Sequence, residues 1–99
     1  MTRIFKYQLP MGVNSSIANW KERFSLDIPK GSKVLTVQAQ GNVPMIWVLV
    51  DPEALTVKIP FLLLATGSEI PGDIRCHYYI GSFQLNGGAL VFHLFEDMS

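Results

Sequence analysis

Charge is scarce in this 99-residue chain: Lys, Arg, Asp and Glu make up 16% of it, divided into 8 basic and 8 acidic residues with no net charge. Globular chains average about 25% charged residues, so few charges are available to cover the large surface of a small domain. The hydrophobic fraction is 48%. Some apolar surface is therefore expected to face another chain, and a homo-oligomer is the simplest arrangement that hides it. The basic residues Arg3, Lys6, Lys21, Arg23, Lys30, Lys33, Lys58 and Arg75 are scattered. Binding a phosphate backbone requires such residues in clusters, to displace counterions. Nonspecific nucleic-acid binding is disfavoured on that ground, while a pocket for one small nucleotide stays open.

Cysteine is almost absent. Cys76 stands alone, so no internal disulfide forms, which suits a reducing cytoplasm. Apolar runs such as Phe61-Leu-Leu-Leu-Ala65 fall far short of the ~20 residues that cross a bilayer, so no membrane association is expected. Met1 to Tyr7 alternates and carries charge, unlike a signal or transit peptide. Gly87-Gly88 joins two apolar arms with no helix after it, so it is not a phosphate-binding loop. Repeats, linkers and low-complexity stretches are missing, and residues 1–99 read as a single β-rich domain.

What is present is a succession of short segments rich in β-branched and aromatic residues, punctuated by turn-formers. Arg3–Leu9 alternates, as do Arg23–Ile28 and Lys33–Gln40. Met45–Val50 is apolar at every position, as expected of a central strand covered on both faces, with Trp47 in the core. Thr56–Thr66 contains Pro60, which lacks a ladder N–H and so marks an edge, a bulge or a break. Ser16–Glu22 allows a turn or two of helix, with Asn14 or Ser15 as N-cap and Trp20 as anchor. The pattern predicts an all-β fold of about seven antiparallel strands, in a small sandwich or a partly open barrel. At most one short helix is expected, near residues 15–22.

Tyr79 to Glu96 reads as one hairpin around Asn86-Gly87-Gly88, whose Asn-Gly supplies the positive φ that a tight turn needs. Two registers are compatible with it, one with Asn86-Gly87 and one with Gly87-Gly88 as the two-residue loop. Both place Tyr79, Phe83, Leu85, Leu90, Phe92 and Leu94 on one face, which is the core. The other face then carries Tyr78, Ile80, Ser82, Gln84, Ala89, Val91, His93 and Phe95. This mixed face suits a partner or ligand. The candidate recognition residues are Trp20, Tyr78, Ser82, Gln84 and His93, the aromatics being able to stack on a ring.

No catalytic residues, metal ligands or cofactor-binding residues are assigned. His93 has no carboxylate or second histidine at ligand spacing. Cys76 and His77, if both on a strand, point to opposite faces and cannot grip one metal. Asp51 with Glu53, and Glu69 with Asp73, form two acidic loops that read as exposed turns more readily than as a carboxylate pair for hydrolysis.

Several segments carry a resemblance. They are Phe5-Lys-Tyr7 through Leu9, Ile28-Pro-Lys-Gly-Ser-Lys-Val-Leu-Thr-Val-Gln38, Trp47-Val-Leu-Val-Asp-Pro-Glu-Ala54, Ala65-Thr-Gly-Ser-Glu-Ile-Pro71 and the terminal Tyr79–Glu96 hairpin. Together they resemble a family of small proteins of unknown function encoded largely by bacteriophages and prophages. The longer connection Met11–Glu22, with Trp20, departs from the family pattern. The resemblance implies an accessory protein acting in the bacterial host cytoplasm, and it supplies no catalytic residues. The expected function is non-enzymatic binding or sequestration of a host protein or small signalling molecule, for example against a bacterial immune system. The alternative is a small oligomeric piece of a virion or its assembly apparatus.

Overall fold

The computed structural model describes residues 1–10 and 20–98. Seven strands form: β1 (Arg3–Gln8), β2 (Lys21–Pro29), β3 (Lys33–Gln40), β4 (Val43–Val50), β5 (Thr56–Ala65), β6 (His77–Leu85) and β7 (Leu90–Asp97). They assemble into a three-stranded sheet ordered β1-β4-β3 and a four-stranded sheet ordered β2-β5-β7-β6. Every ladder is antiparallel. The two sheets stay separate, so of the two architectures the sequence allows, the sandwich is the one adopted. Among the described residues the only helical pieces are 3-10 turns at Ile74–Cys76 and Asn86–Gly88. The helix expected near 15–22 lies mostly outside the described residues, and its last two positions, Lys21 and Glu22, already belong to β2.

Period-two alternation delivers one row of each strand to the space between the sheets. Val37, Ile46, Val48 and Val50 come from the first sheet, and Ile28, Phe61, Leu63, Phe83, Phe92 and Leu94 from the second. Phe24 stacks on Phe61 with ring centroids 5.5 Å apart, and Phe83 on Phe92 at 5.6 Å. Burying a side chain of this size contributes about 1.5–3 kcal/mol, so this shared core holds the two sheets together. The sheets approach most closely at β3 and β6, where a Cβ added to Gly81 would stand 3.3 Å from Val37 Cγ1. At the turn end, Asn86 N–H donates to Asn42 Oδ1 at 2.7 Å and Asn42 Nδ2 donates back to Asn86 Oδ1 at 3.1 Å. These bonds tie the β3–β4 turn to the β6–β7 turn.

β4 is the central strand of its sheet, but only one of its faces is covered. Ile46, Val48 and Val50 are buried, while Val43, Met45 and Trp47 are half-buried and Leu49 is exposed. Trp47 therefore sits on the outer face between Lys6 and Thr36 and not in the core. An all-apolar strand does not report which face a second layer will reach.

Pro60 neither breaks nor bulges β5. Lys30 N–H donates to the Leu55 carbonyl and Ala65 N–H to the Trp20 carbonyl, so odd-numbered residues of β5 turn their backbone groups toward β2. Pro60 turns its nitrogen the other way. There β7 pairs only with Phe61–Ala65, so no ladder bond is lost. The strand is central at one end and an edge at the other.

The hairpin follows the register that opposes Leu85 and Leu90, with residues 86–89 as its loop. Asn86 (φ 53°) and Gly87 (φ 65°) take the left-handed conformations that Asn-Gly supplies cheaply. Before Gly81 the expected faces of β6 are reversed. A bulge at Ile80 breaks the alternation, so Tyr79 opposes Phe95 on the outer face and Tyr78 opposes Glu96 on the other. The expectation that Tyr79 is core and Tyr78 belongs to the mixed face is overturned by that one extra residue.

β5 and β6 run in the same direction with β7 between them, so the chain must cross β7 to connect them. Residues 66–76 make this crossover over the outer face of the four-stranded sheet. Leu62 and Leu64, whose side chains point away from the shared core, are consequently buried, at 0% and 2% exposure.

Candidate functional site

The crossover and the outer face of the four-stranded sheet enclose the chain's most concentrated polar chemistry. His93 on β7 lies between Leu64 on β5 and Ser82 on β6. Its Nε2 is 2.8 Å from Thr66 Oγ1 and its Nδ1 is 2.8 Å from the Tyr79 hydroxyl. Either hydroxyl can donate or accept, so the Thr66–His93–Tyr79 chain can run in both directions. A cleft of about 240 Å³ opens beside this chain. Leu64, Ile70 and Phe95 supply its apolar walls, and no Lys, Arg, Asp or Glu lines it. Phe95 holds Tyr79 in an edge-to-face contact at 5.1 Å.

A second cluster pins the far end of the crossover. Arg23 is the ladder neighbour of Leu62 on β2. Its guanidinium lies 3.1 Å from His77 Nε2, 3.3 Å from Asp73 and 3.6 Å from Asp97. The side chain thus crosses Leu62 to reach the other side of the sheet. The His77 side chain is buried, though the residue as a whole is half-buried, and its Nδ1 is 3.1 Å from the Asp73 carbonyl, which can only accept. Nδ1 is therefore placed to donate to that carbonyl, and Nε2 faces the Arg23 guanidinium, from which it can accept. His77 Nε2 also lies 3.9 Å from Asp97 Oδ2. This cluster closes the structure over Leu62 and leaves the neutral cleft at the other end.

The five recognition candidates do not share one surface. Ser82, Gln84 and His93 lie on the outer face of the β6–β7 ladder, with Ser82 opposite His93 and Gln84 opposite Val91. Tyr78 is on the opposite face beside Glu96, whose carboxyl burial pushes above the usual range. Trp20 packs edge-to-face on the core residue Phe92 at 5.3 Å and lines a separate cleft of about 250 Å³ with Ala65 and Leu90. Thr66, Tyr79, His77 and Arg23 are the polar residues that sequence reasoning missed. Thr66 and His93 are 27 positions apart, and only the crossover brings them together. Cys76 is exposed and falls in the 3-10 turn before β6, so the strand-based pairing with His77 does not arise. Among the described residues no group of three His, Cys, Asp or Glu side chains is placed to hold a metal ion. No helix among them is long and apolar enough to cross a membrane.

Fold and site together define a small two-sheet β-sandwich whose outer face carries a neutral, hydroxyl- and imidazole-lined cleft. The chain belongs to the family described as Domain of unknown function (DUF7352), which matches residues 1–99. No curated protein and no solved structure matches it.

Proposed function

We propose that this protein is a non-enzymatic binding module that recognises a small molecule, or an anchor side chain of a host protein, in the His93 cleft. The observation that carries this reading is the Thr66–His93–Tyr79 chain at the side of an uncharged apolar cleft. Ligand sites typically combine apolar walls with a few converging polar groups in about 300–1,000 Å³. A cleft of about 240 Å³ lies below that range and suits one planar ring or one side chain. Both nitrogens of His93 are engaged by neutral hydroxyls and neither by a carboxylate. A general base of the hydrolase kind is instead oriented and stabilised by a buried acid. The phage-type resemblance extends the reading to an accessory protein of the bacterial host cytoplasm, sequestering a host factor or signal and acting against host defence.

Calorimetry and thermal-shift measurements against signalling nucleotides and small heteroaromatic compounds test the reading. Ligand at 100 times its Kd stabilises the folded state by about 2.7 kcal/mol, a clear rise in Tm. Tyr79→Ala and His93→Ala should abolish the rise while the apo protein stays folded. If compound screens and host-lysate capture both return nothing above background, the proposal fails. A second reading, a small structural piece of a virion, is favoured by the outward apolar row of exposed Ile4 and Leu49 with half-buried Trp47 on the three-stranded sheet. It predicts co-purification with virions.

A further inference from the structure

We propose that the free edge of β1 is a self-association surface, on which β1 of a second copy pairs antiparallel to make one continuous sheet across a dimer. β1 ends the three-stranded sheet, and among the described residues no strand lies on its other side. Leu9 N–H donates to the Pro44 carbonyl at 3.0 Å. Alternation then turns the backbone groups of Arg3, Phe5 and Tyr7 toward β4 and those of Ile4, Lys6 and Gln8 toward the open edge.

Among the described residues the other edges are guarded against such pairing and this one is not. β2 begins with Lys21 and ends at Pro29, a charge and a missing N–H on its open edge. β3 is irregular at Leu35 and β6 bulges at Ile80, and the two edges abut at Gly81 and Val37. β1 has neither proline nor bulge between Arg3 and Gln8. Its one candidate gatekeeper is Lys6. Lys6 Nζ donates to Gln40 Oε1 at 2.9 Å across the outer face of β4, so its charge is drawn away from the edge. Phe5 points to the same side as Tyr7 and Leu9, which pack on the core, yet it is 38% exposed.

The occupant is a second copy because β1 is complementary to itself in one register. Side chains of opposed residues must share a face, so odd positions oppose odd ones. Centring the twofold axis on Lys6 sets Lys6 against Lys6, which is repulsive. Centring it on Ile4 leaves Gln8 unopposed, and centring it on Tyr7 pairs only Lys6, Tyr7 and Gln8 within the strand. Centring it on Phe5 opposes Ile4 to Lys6 and Arg3 to Tyr7, with no like charges facing. Phe5 then meets Phe5 at a non-hydrogen-bonded pair, where side chains come closest. Arg3 is placed to lie over the Tyr7 ring.

Hydrogen exchange and sedimentation equilibrium on the full chain test the pairing. In dilute protein the Phe5 and Tyr7 amides should be protected and those of Ile4, Lys6 and Gln8 should exchange freely. At high concentration the second set should become protected as the mass doubles. Lys6→Pro deletes an N–H that the monomer does not use, and Phe5→Glu places like charges on the axis. Both should give monomers with native circular dichroism, and Leu49→Glu on the outer face should still dimerise. The proposal is overturned by a monomeric wild type at every concentration. It is equally overturned by Ile4, Lys6 and Gln8 protected in the dilute monomer, or by folded Lys6→Pro protein that still dimerises. The His93 cleft lies on the other sheet, so ligand binding and dimerisation can fail independently.

Discussion

Replacing Leu62 with alanine separates the observed sandwich from a bare one. In a two-layer sandwich the outward row of β5 faces water, and truncating a residue there costs little. Here Leu62 points away from the shared core yet is 0% exposed, because Arg23 and the 66–76 crossover lie over it. Truncating a fully buried leucine removes its transfer free energy and leaves a cavity, together about 2–5 kcal/mol. A domain of this size has only about 5–15 kcal/mol of stability in total. At about 4–8 °C per kcal/mol, a loss of about 3 kcal/mol lowers Tm by roughly 12–24 °C. Leu55→Ala is the internal control: Leu55 is 81% exposed, and its truncation should stay within about 0.5 kcal/mol of the parent. Urea denaturation of the three proteins, read at equal m-value, gives the differences directly. A Leu62→Ala cost no larger than that of Leu55→Ala would refute the claim that the crossover seals the outer face.

Arg23→Ala removes the donor to His77 Nε2 and strands a buried acceptor, which should cost about 1–3 kcal/mol in chemical denaturation; conservative Arg23→Lys should recover only part of it. Burial raises the Glu96 carboxyl above its ordinary value of 4.5, so its contribution is greatest below that pH and is lost as pH rises through the folded-state value. Glu96→Gln should therefore melt higher than the parent at neutral pH, and the two melting curves should converge in acid; a gap that widens in acid would contradict this sign. Gly87→Ala forces a side chain onto φ 65° and should cost about 1–2 kcal/mol by thermal unfolding, with the fold retained.

The strands themselves were readable because period-two alternation is a local property. Lys33–Gln40 reads at its observed bounds, and of the edge, bulge or break that Pro60 left open in β5, the edge is the one adopted. The candidate site was only partly readable. Ser82, Gln84 and His93 were placed on one face, since they lie beyond the bulge, where alternation holds. Tyr78 and Tyr79 were interchanged, because Tyr78-Tyr79-Ile80 are all good strand formers and nothing in that run marks which residue leaves the ladder. Thr66 and Arg23 were out of reach because their partners are distant in the chain.

By itself the sequence determined the all-β class, the turns and the alternating rows, since these depend on the steric preferences of neighbouring residues. It also determined that too few charges exist to cover the surface. Tertiary structure alone decided which faces are covered. It left Trp47 and Leu49 on an open face, roofed Leu62 with the crossover, and brought Thr66 and Tyr79 to His93. The physical reason is that burial depends on the path of the whole chain: a loop of turn-formers looks the same in sequence whether it hangs in water or is drawn across a sheet.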